Sequence, residues 1–61
     1  MIEIIIHDDG TLKIVMITND SKNFKFDVRN KYDKSCFMIS KDTPQLFDTV
    51  IEAVEAYNLI A

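Results

Sequence analysis

The chain has 61 residues, 48% of them hydrophobic, with a formal net charge of −3, one cysteine and one histidine. That length makes a single domain, residues 1–61, and a chain this short buries only roughly 60% of its unfolded surface, so such domains lean on disulfides, metals or oligomerisation. Cys36 alone excludes an internal disulfide, and with His7 it cannot complete a four-ligand zinc site, which leaves oligomerisation. No apolar run nears the ~20 residues of a membrane span, and the N-terminus does not read as a signal peptide. A cytoplasmic protein with no metal, cofactor or membrane partner is the expectation.

Ile2, Ile4 and Ile6 alternate with Glu3, Ile5 and His7, and Leu12, Ile14 and Met16 alternate with Lys13, Val15 and Ile17, the period of two strands. Asp8-Asp9-Gly10 reads as a three-residue hairpin loop, closed by the only glycine in the left-handed region. Such a loop pairs Ile6 with Leu12, Ile4 with Ile14 and Ile2 with Met16, gathering the strongest apolar positions on one face. The other face (Glu3, Ile5, Lys13, Val15, Ile17) is mixed and suits binding or a subunit boundary. Asn19 to Asn23 is a turn by composition. Phe24, Phe26 and Val28 then point one way and Lys25, Asp27 and Arg29 the other. After a loop over residues 30–34, Ser35 to Ser40 is apolar on both faces, as expected of a strand covered on both sides.

Thr43-Pro44 reads as a helix start, a capping oxygen followed by proline in the first turn. Over residues 44–60, Leu46, Phe47, Val50, Ile51, Val54, Tyr57 and Ala61 share a broad stripe opposite Asp48, Glu52 and Glu55. That stripe is wider than one small sheet covers, so a second helix is expected along its edge; burial against its own sheet alone is the plainer alternative. The expected fold is α+β: a four-stranded antiparallel sheet followed by one C-terminal amphipathic helix (ββββα). It forms a homodimer through the helices at Phe47, Val50, Ile51, Val54 and Tyr57.

Charge is unevenly spread. Residues 1–21 carry Lys13 against Glu3, Asp8, Asp9 and Asp20, and residues 42–61 carry Asp42, Asp48, Glu52 and Glu55 with no cation. Between them lie Lys22, Lys25, Arg29, Lys31, Lys34 and Lys41 against only Asp27 and Asp33. Asymmetry of this kind marks either an interaction surface or a set of solvated turns.

Lys25-Phe26-Asp27-Val28-Arg29, then a basic loop with Tyr32, then Lys34-Ser35-Cys36-Phe37-Met38-Ile39-Ser40 and a closing helix resemble a known pattern. It is that of the single-stranded-DNA-binding domains of the transcriptional coactivator family called positive cofactor four, and most of all its short bacterial or phage-type members. The likeness spans roughly residues 12–58, and its specific part is the five-residue strand. The family's glycine in the second strand is replaced here by Ser35 or Cys36, and the helix start is displaced by Lys41-Asp42-Thr43. The resemblance implies a homodimer through the helices that presents its outer sheet faces to single-stranded DNA or RNA, in transcription or replication regulation. Lys13, Lys25, Arg29, Lys31 and Lys34 would line a phosphate track, and Tyr32 would stack on a base.

Catalysis is not expected: no nucleophile elbow, phosphate-binding glycine loop or metal spacing is present. His7 beside Asp8 and Asp9 lacks a partner nucleophile and reads as an exposed strand end, and Cys36 as a small residue at the outer face or an interface. The alternative function is a small acidic regulator or inhibitor, viral or host, whose acidic helix or mixed sheet face contacts a larger protein.

Overall fold

A computed structural model describes residues 1–61. Strands β1 (Ile2–Asp8), β2 (Leu12–Thr18) and β3 (Phe24–Asn30) form one antiparallel sheet in that order. Strands β4 (Met38–Ser40) and β5 (Thr43–Pro44) form a separate hairpin, and helix α1 (Val50–Ile60) closes the chain. The α+β class and the order of strands before helix are as read from the sequence. The single four-stranded sheet is not.

The first hairpin differs in register from the expectation. Ile2 pairs with Thr18, Ile4 with Met16 and Ile5 with Val15, whereas His7 pairs with Ile14 and Asp8 with Lys13. The reason lies in the turn, whose central residues are Gly10 and Thr11. Asp9 donates its N–H to the Leu12 carbonyl at 3.0 Å, and its carboxylate accepts the N–H groups of Thr11 at 2.8 Å and Leu12 at 2.7 Å. Gly10, at φ +90°, takes the first central position, where a two-residue II′ turn needs a glycine. The mismatch this creates is absorbed by a bulge between Ile5 and His7, with Ile6 as the extra residue. The bulge carries His7 round to the helix side of the sheet. A side chain at Gly10 would meet no atom within 4 Å, so its cost is purely conformational, about 1–2 kcal/mol. Gly10→Val is expected to lower the melting temperature by that amount of stability, and unchanged melting would contradict this turn.

Two carboxylates tie the loops. Asp20 accepts the N–H groups of Asn23 and Lys22 at 2.9 Å and the Asn23 amide at 3.0 Å, which holds its carboxyl down at about 2 against an ordinary 3.8. Asp9 is held at about 2 by the Leu12 N–H first, then by the Tyr57 hydroxyl and the Thr11 N–H. Both are depressed in the folded state, so their stabilisation is whole above about pH 4 and disappears as pH falls towards 2. Thermal melts should therefore drop across that window, and less steeply in Asp20→Asn. An equal slope in the variant would rule out this role for Asp20.

β2 and β3 pair without interruption, Ile14 opposite Val28 and Met16 opposite Phe26 on one face, Val15 opposite Asp27 and Lys13 opposite Arg29 on the other. Ile14 and Val28 meet Ala53 and Ala56 of α1 to make the buried core, with Phe26, Cys36, Phe37, Phe47 and Tyr57 packed around them. Phe37 and Phe47 meet edge to face at 5.9 Å. Cys36 therefore lies on the helix side against the core, not at the outer face, and burial pushes its thiol up.

The expected strand over residues 35–40 is replaced by two short attachments to the far edge of β3. At one end the Cys36 N–H donates to the Val28 carbonyl and the Asn30 N–H to the Lys34 carbonyl, both at 2.8 Å. At the other, Phe26 and Phe47 exchange two backbone bonds at 2.8 Å. The chain between leaves the sheet as the β4–β5 hairpin, and Met38 and Ile39 are exposed instead of covered.

Thr43-Pro44 accordingly sits in β5 and starts no helix. Phe47 cannot be helical while its backbone is bonded to Phe26. The next available cap is Thr49, whose hydroxyl oxygen accepts the Glu52 N–H at 3.2 Å and whose O–H donates to the Glu52 carboxylate at 3.1 Å, an N-cap bond reinforced by a side-chain contact. Phe47 thus belongs to the sheet edge and the core, which removes it from the expected helical interface.

Candidate nucleic-acid and protein interfaces

The six residues expected to contact nucleic acid divide into two groups. Lys13, Lys25 and Arg29 lie on the sheet face turned from α1, as the alternation implies, but each is engaged by carboxylates. Arg29 grips Glu3 with two bonds, Nη2–Oε2 at 2.8 Å and Nη1–Oε1 at 3.1 Å. Its Nε reaches Asp27 Oδ2 at 2.9 Å and its Nη1 reaches Asp33 at 3.3 Å. Lys13 pairs with Asp33 at 3.1 Å, and Lys25 pairs with Asp48. Asp27 is only 1% exposed; its Oδ2 also accepts the Ser35 hydroxyl at 2.6 Å, while its Oδ1 is buried without a partner.

The Glu3 hydrogen bonds raise the Arg29 pKa further, and Arg29 in turn lowers that of Glu3. Lys13 first, then Arg29, lowers that of Asp33. Around Lys13 and Arg29, two cations meet three carboxylates. That part of the face carries no surplus positive charge for a phosphate.

Lys31, Tyr32 and Lys34 form the second group, in the loop after β3. Tyr32 is 71% exposed, and the Lys31 ammonium lies over its ring at 5.3 Å from the centroid. No carboxylate pairs with Lys31 or Lys34. Glu3, Asp27, Asp33 and Asp48 are the counterions, and of these Glu3 and Asp48 come from outside the basic stretch of sequence. The signal was available for Asp27, which alternates onto the same face as Lys25 and Arg29 between them.

On the helix side a different surface appears. α1 lies across β2 and β3 and leaves β1 uncovered. All seven residues of β1 are exposed, with Ile2, Ile4, Ile5 and Ile6 between 42 and 54%, and its outer edge pairs with nothing. α1 buries only its two small residues, Ala53 and Ala56, while Val50, Ile51 and Val54 remain exposed, Ile51 at 66%.

A cleft of about 270 Å³ separates the strand from the helix, lined by Ile6, His7, Ile14, Val50, Val54, Tyr57 and Asn58. At its polar end His7 Nε2 lies 3.2 Å from the Tyr57 hydroxyl, the two rings standing edge to face at 5.2 Å. The Tyr57 O–H donates to the Asp9 carboxylate, which pushes the phenol's pKa up. Of the expected interface residues, Val50, Ile51 and Val54 are thus exposed together, and Tyr57 is half-buried beside them. Ile2, Ile4 and Ile6, expected on the core face, join this surface because α1 packs over β2 and β3, whereas Ile5 pairs with Val15 on the face turned from α1.

No protein-family model, curated protein or solved structure matches this chain. No helix is long and apolar enough to cross a membrane, and no group of three or more His, Cys, Asp or Glu side chains is placed to hold a metal ion.

Proposed function

We propose that this chain acts by protein–protein contact, through the apolar surface formed by the open edge of β1 and the exposed side of α1. The observation that carries this reading is the row of exposed Ile2, Ile4 and Ile6 along an unpaired strand edge, with Ile6 sharing a cleft with the exposed Val50 and Val54 of α1. An open edge supplies a row of backbone donors and acceptors, and exposed aliphatic side chains supply the area, the combination used in strand addition. Glu52 and Glu55 on the outer helix and Asp8 and Asp9 at the strand end give the surface an acidic border.

A photo-crosslinking residue at Ile51 tests this reading in an extract of the native cell. One discrete protein adduct is expected, lost when Val54→Lys is added and absent with the probe at Lys22. Labelling at Ile51 no stronger than at Lys22 would count against it.

The single-strand reading keeps one specific support, the exposed Tyr32 ring with Lys31 across it and Lys34 three residues away from Lys31. It narrows the contact from a sheet face to a loop. Titration of labelled oligo-dT at low salt would show binding that Tyr32→Ala weakens by about 1–3 kcal/mol, if that ring stacks on a base. Equal affinity in wild type and Tyr32→Ala, or no binding at all, disposes of it.

A further inference from the structure

We propose that the partner on this surface is a second copy of the chain, with β1 paired antiparallel to the copy's β1 about a two-fold axis at Ile4. The inference rests on the protein-contact reading above and names its partner. It turns first on the number of open edges. The far edge of β3 is occupied by Cys36 and Lys34 at one end and Phe47 at the other, so β1 offers the open edge of the three-stranded sheet. One open edge on that sheet closes at two copies, whereas two would propagate a filament.

The strand is also complementary to itself. About Ile4, the run Ile2-Glu3-Ile4-Ile5-Ile6 sets Ile4 against Ile4, Ile2 against Ile6 and Glu3 against Ile5. No like charges meet directly across the pair. The bulge at Ile6 ends the regular strand where the symmetric pairing ends, and Asp8 and Asp9 fall outside it. A centre one residue later would face Glu3 with His7, which the bulge has turned to the opposite side of the sheet.

Finally, the joint covers what one chain leaves bare. Of the fifteen large hydrophobic side chains it leaves exposed, Ile2, Ile4 and Ile6 lie on the strand to be paired, and Val50 and Val54 border the cleft beside it. A stable interface takes about 800 Å² from each partner, under a fifth of the 4303 Å² that the chain exposes. The product is a six-stranded sheet with β1 and its copy at the centre.

Sedimentation equilibrium is expected to give twice the 7.1 kDa of one chain. Ile4 lies on the axis, where antiparallel neighbours have Cα atoms about 4.5–5.5 Å apart, within disulfide range. Ile4→Cys in a Cys36→Ser background should therefore crosslink to a dimer on mild oxidation, and Lys22→Cys should not. Ile4→Lys should raise the dimer dissociation constant by on the order of 100-fold, because each dimer carries the change twice. Its circular dichroism should stay native, since Ile4 is exposed in the single chain.

A dimer that neither crosslinks at Ile4→Cys nor weakens with Ile4→Lys overturns the proposal by placing the interface elsewhere. A monomeric chain that still yields a foreign adduct at Ile51 overturns the second copy and leaves the protein-contact reading standing. A monomer with no adduct at Ile51 removes both.

Discussion

Replacing Arg29 with alanine should destabilise the fold by about 3–5 kcal/mol, the range for removing one partner of a buried ion pair. The Asp27 side chain is 2% exposed and that of Arg29 13%, so solvent screens their contact little. Without the guanidinium, the Asp27 carboxylate keeps only the Ser35 hydroxyl, and its Oδ1 is already unpartnered. A domain of this size rarely has more than about 3–5 kcal/mol to lose, so Arg29→Ala should sit near the edge of unfolding. Adding Asp27→Asn should recover part of the loss, because the stranded charge is then gone. Urea unfolding of the two variants checks this, and a loss under about 1 kcal/mol for Arg29→Ala would show that the network is ornamental. Arg29→Glu, which the alternation alone marks as a harmless outward change, becomes a folding mutation and cannot serve as a probe of nucleic-acid binding.

The second large effect belongs to Ala53. It is fully buried between α1 and the Ile14–Val28 pair, and the helix can lie that close to the sheet only because the residue is small. Ala53→Leu should cost about 1–3 kcal/mol by overpacking. In a domain of this length that is a drop of roughly 4–8 °C in melting temperature for each kcal/mol. Ile51→Leu, which puts the same side chain on the exposed side of the helix without adding volume, should be nearly silent. Equal melting of Ala53→Leu and wild type would mean that the helix rides higher on the sheet than described.

The contrast between β3 and β1 explains what could be read from the sequence. Phe24 to Arg29 alternates strictly between apolar and polar, so both its strand state and its two faces were legible, and the pairing of β2 with β3 follows that alternation. β1 has isoleucine at positions 2, 4, 5 and 6, and a strand apolar on both faces does not specify its own register. The turn decided instead, and Asp9 made it tighter by capturing two N–H groups with its carboxylate. The helix was legible in kind but not in extent. Thr43-Pro44 and Thr49 are both sound caps locally, and the choice depends on a contact distant in sequence, the backbone exchange between Phe26 and Phe47. At the candidate site the cations were visible and their neutralisation was not, because Glu3 and Asp33 reach Arg29 from a different strand and a loop.

The interrupted edge of β3 makes the chain tolerant at one place. Because Cys36 and Phe47 hold the sheet independently, the β4–β5 hairpin between them is a detour whose length the sheet does not sense. Its tip, Lys41-Asp42, is exposed and touches neither the core nor β1. Lengthening a loop costs only about 0.6 kcal/mol per doubling. The hairpin is therefore where a foreign segment, such as an epitope or a fluorophore-binding peptide, can be carried without disturbing the β1 edge, its nearest neighbours being Lys34 and Ser35.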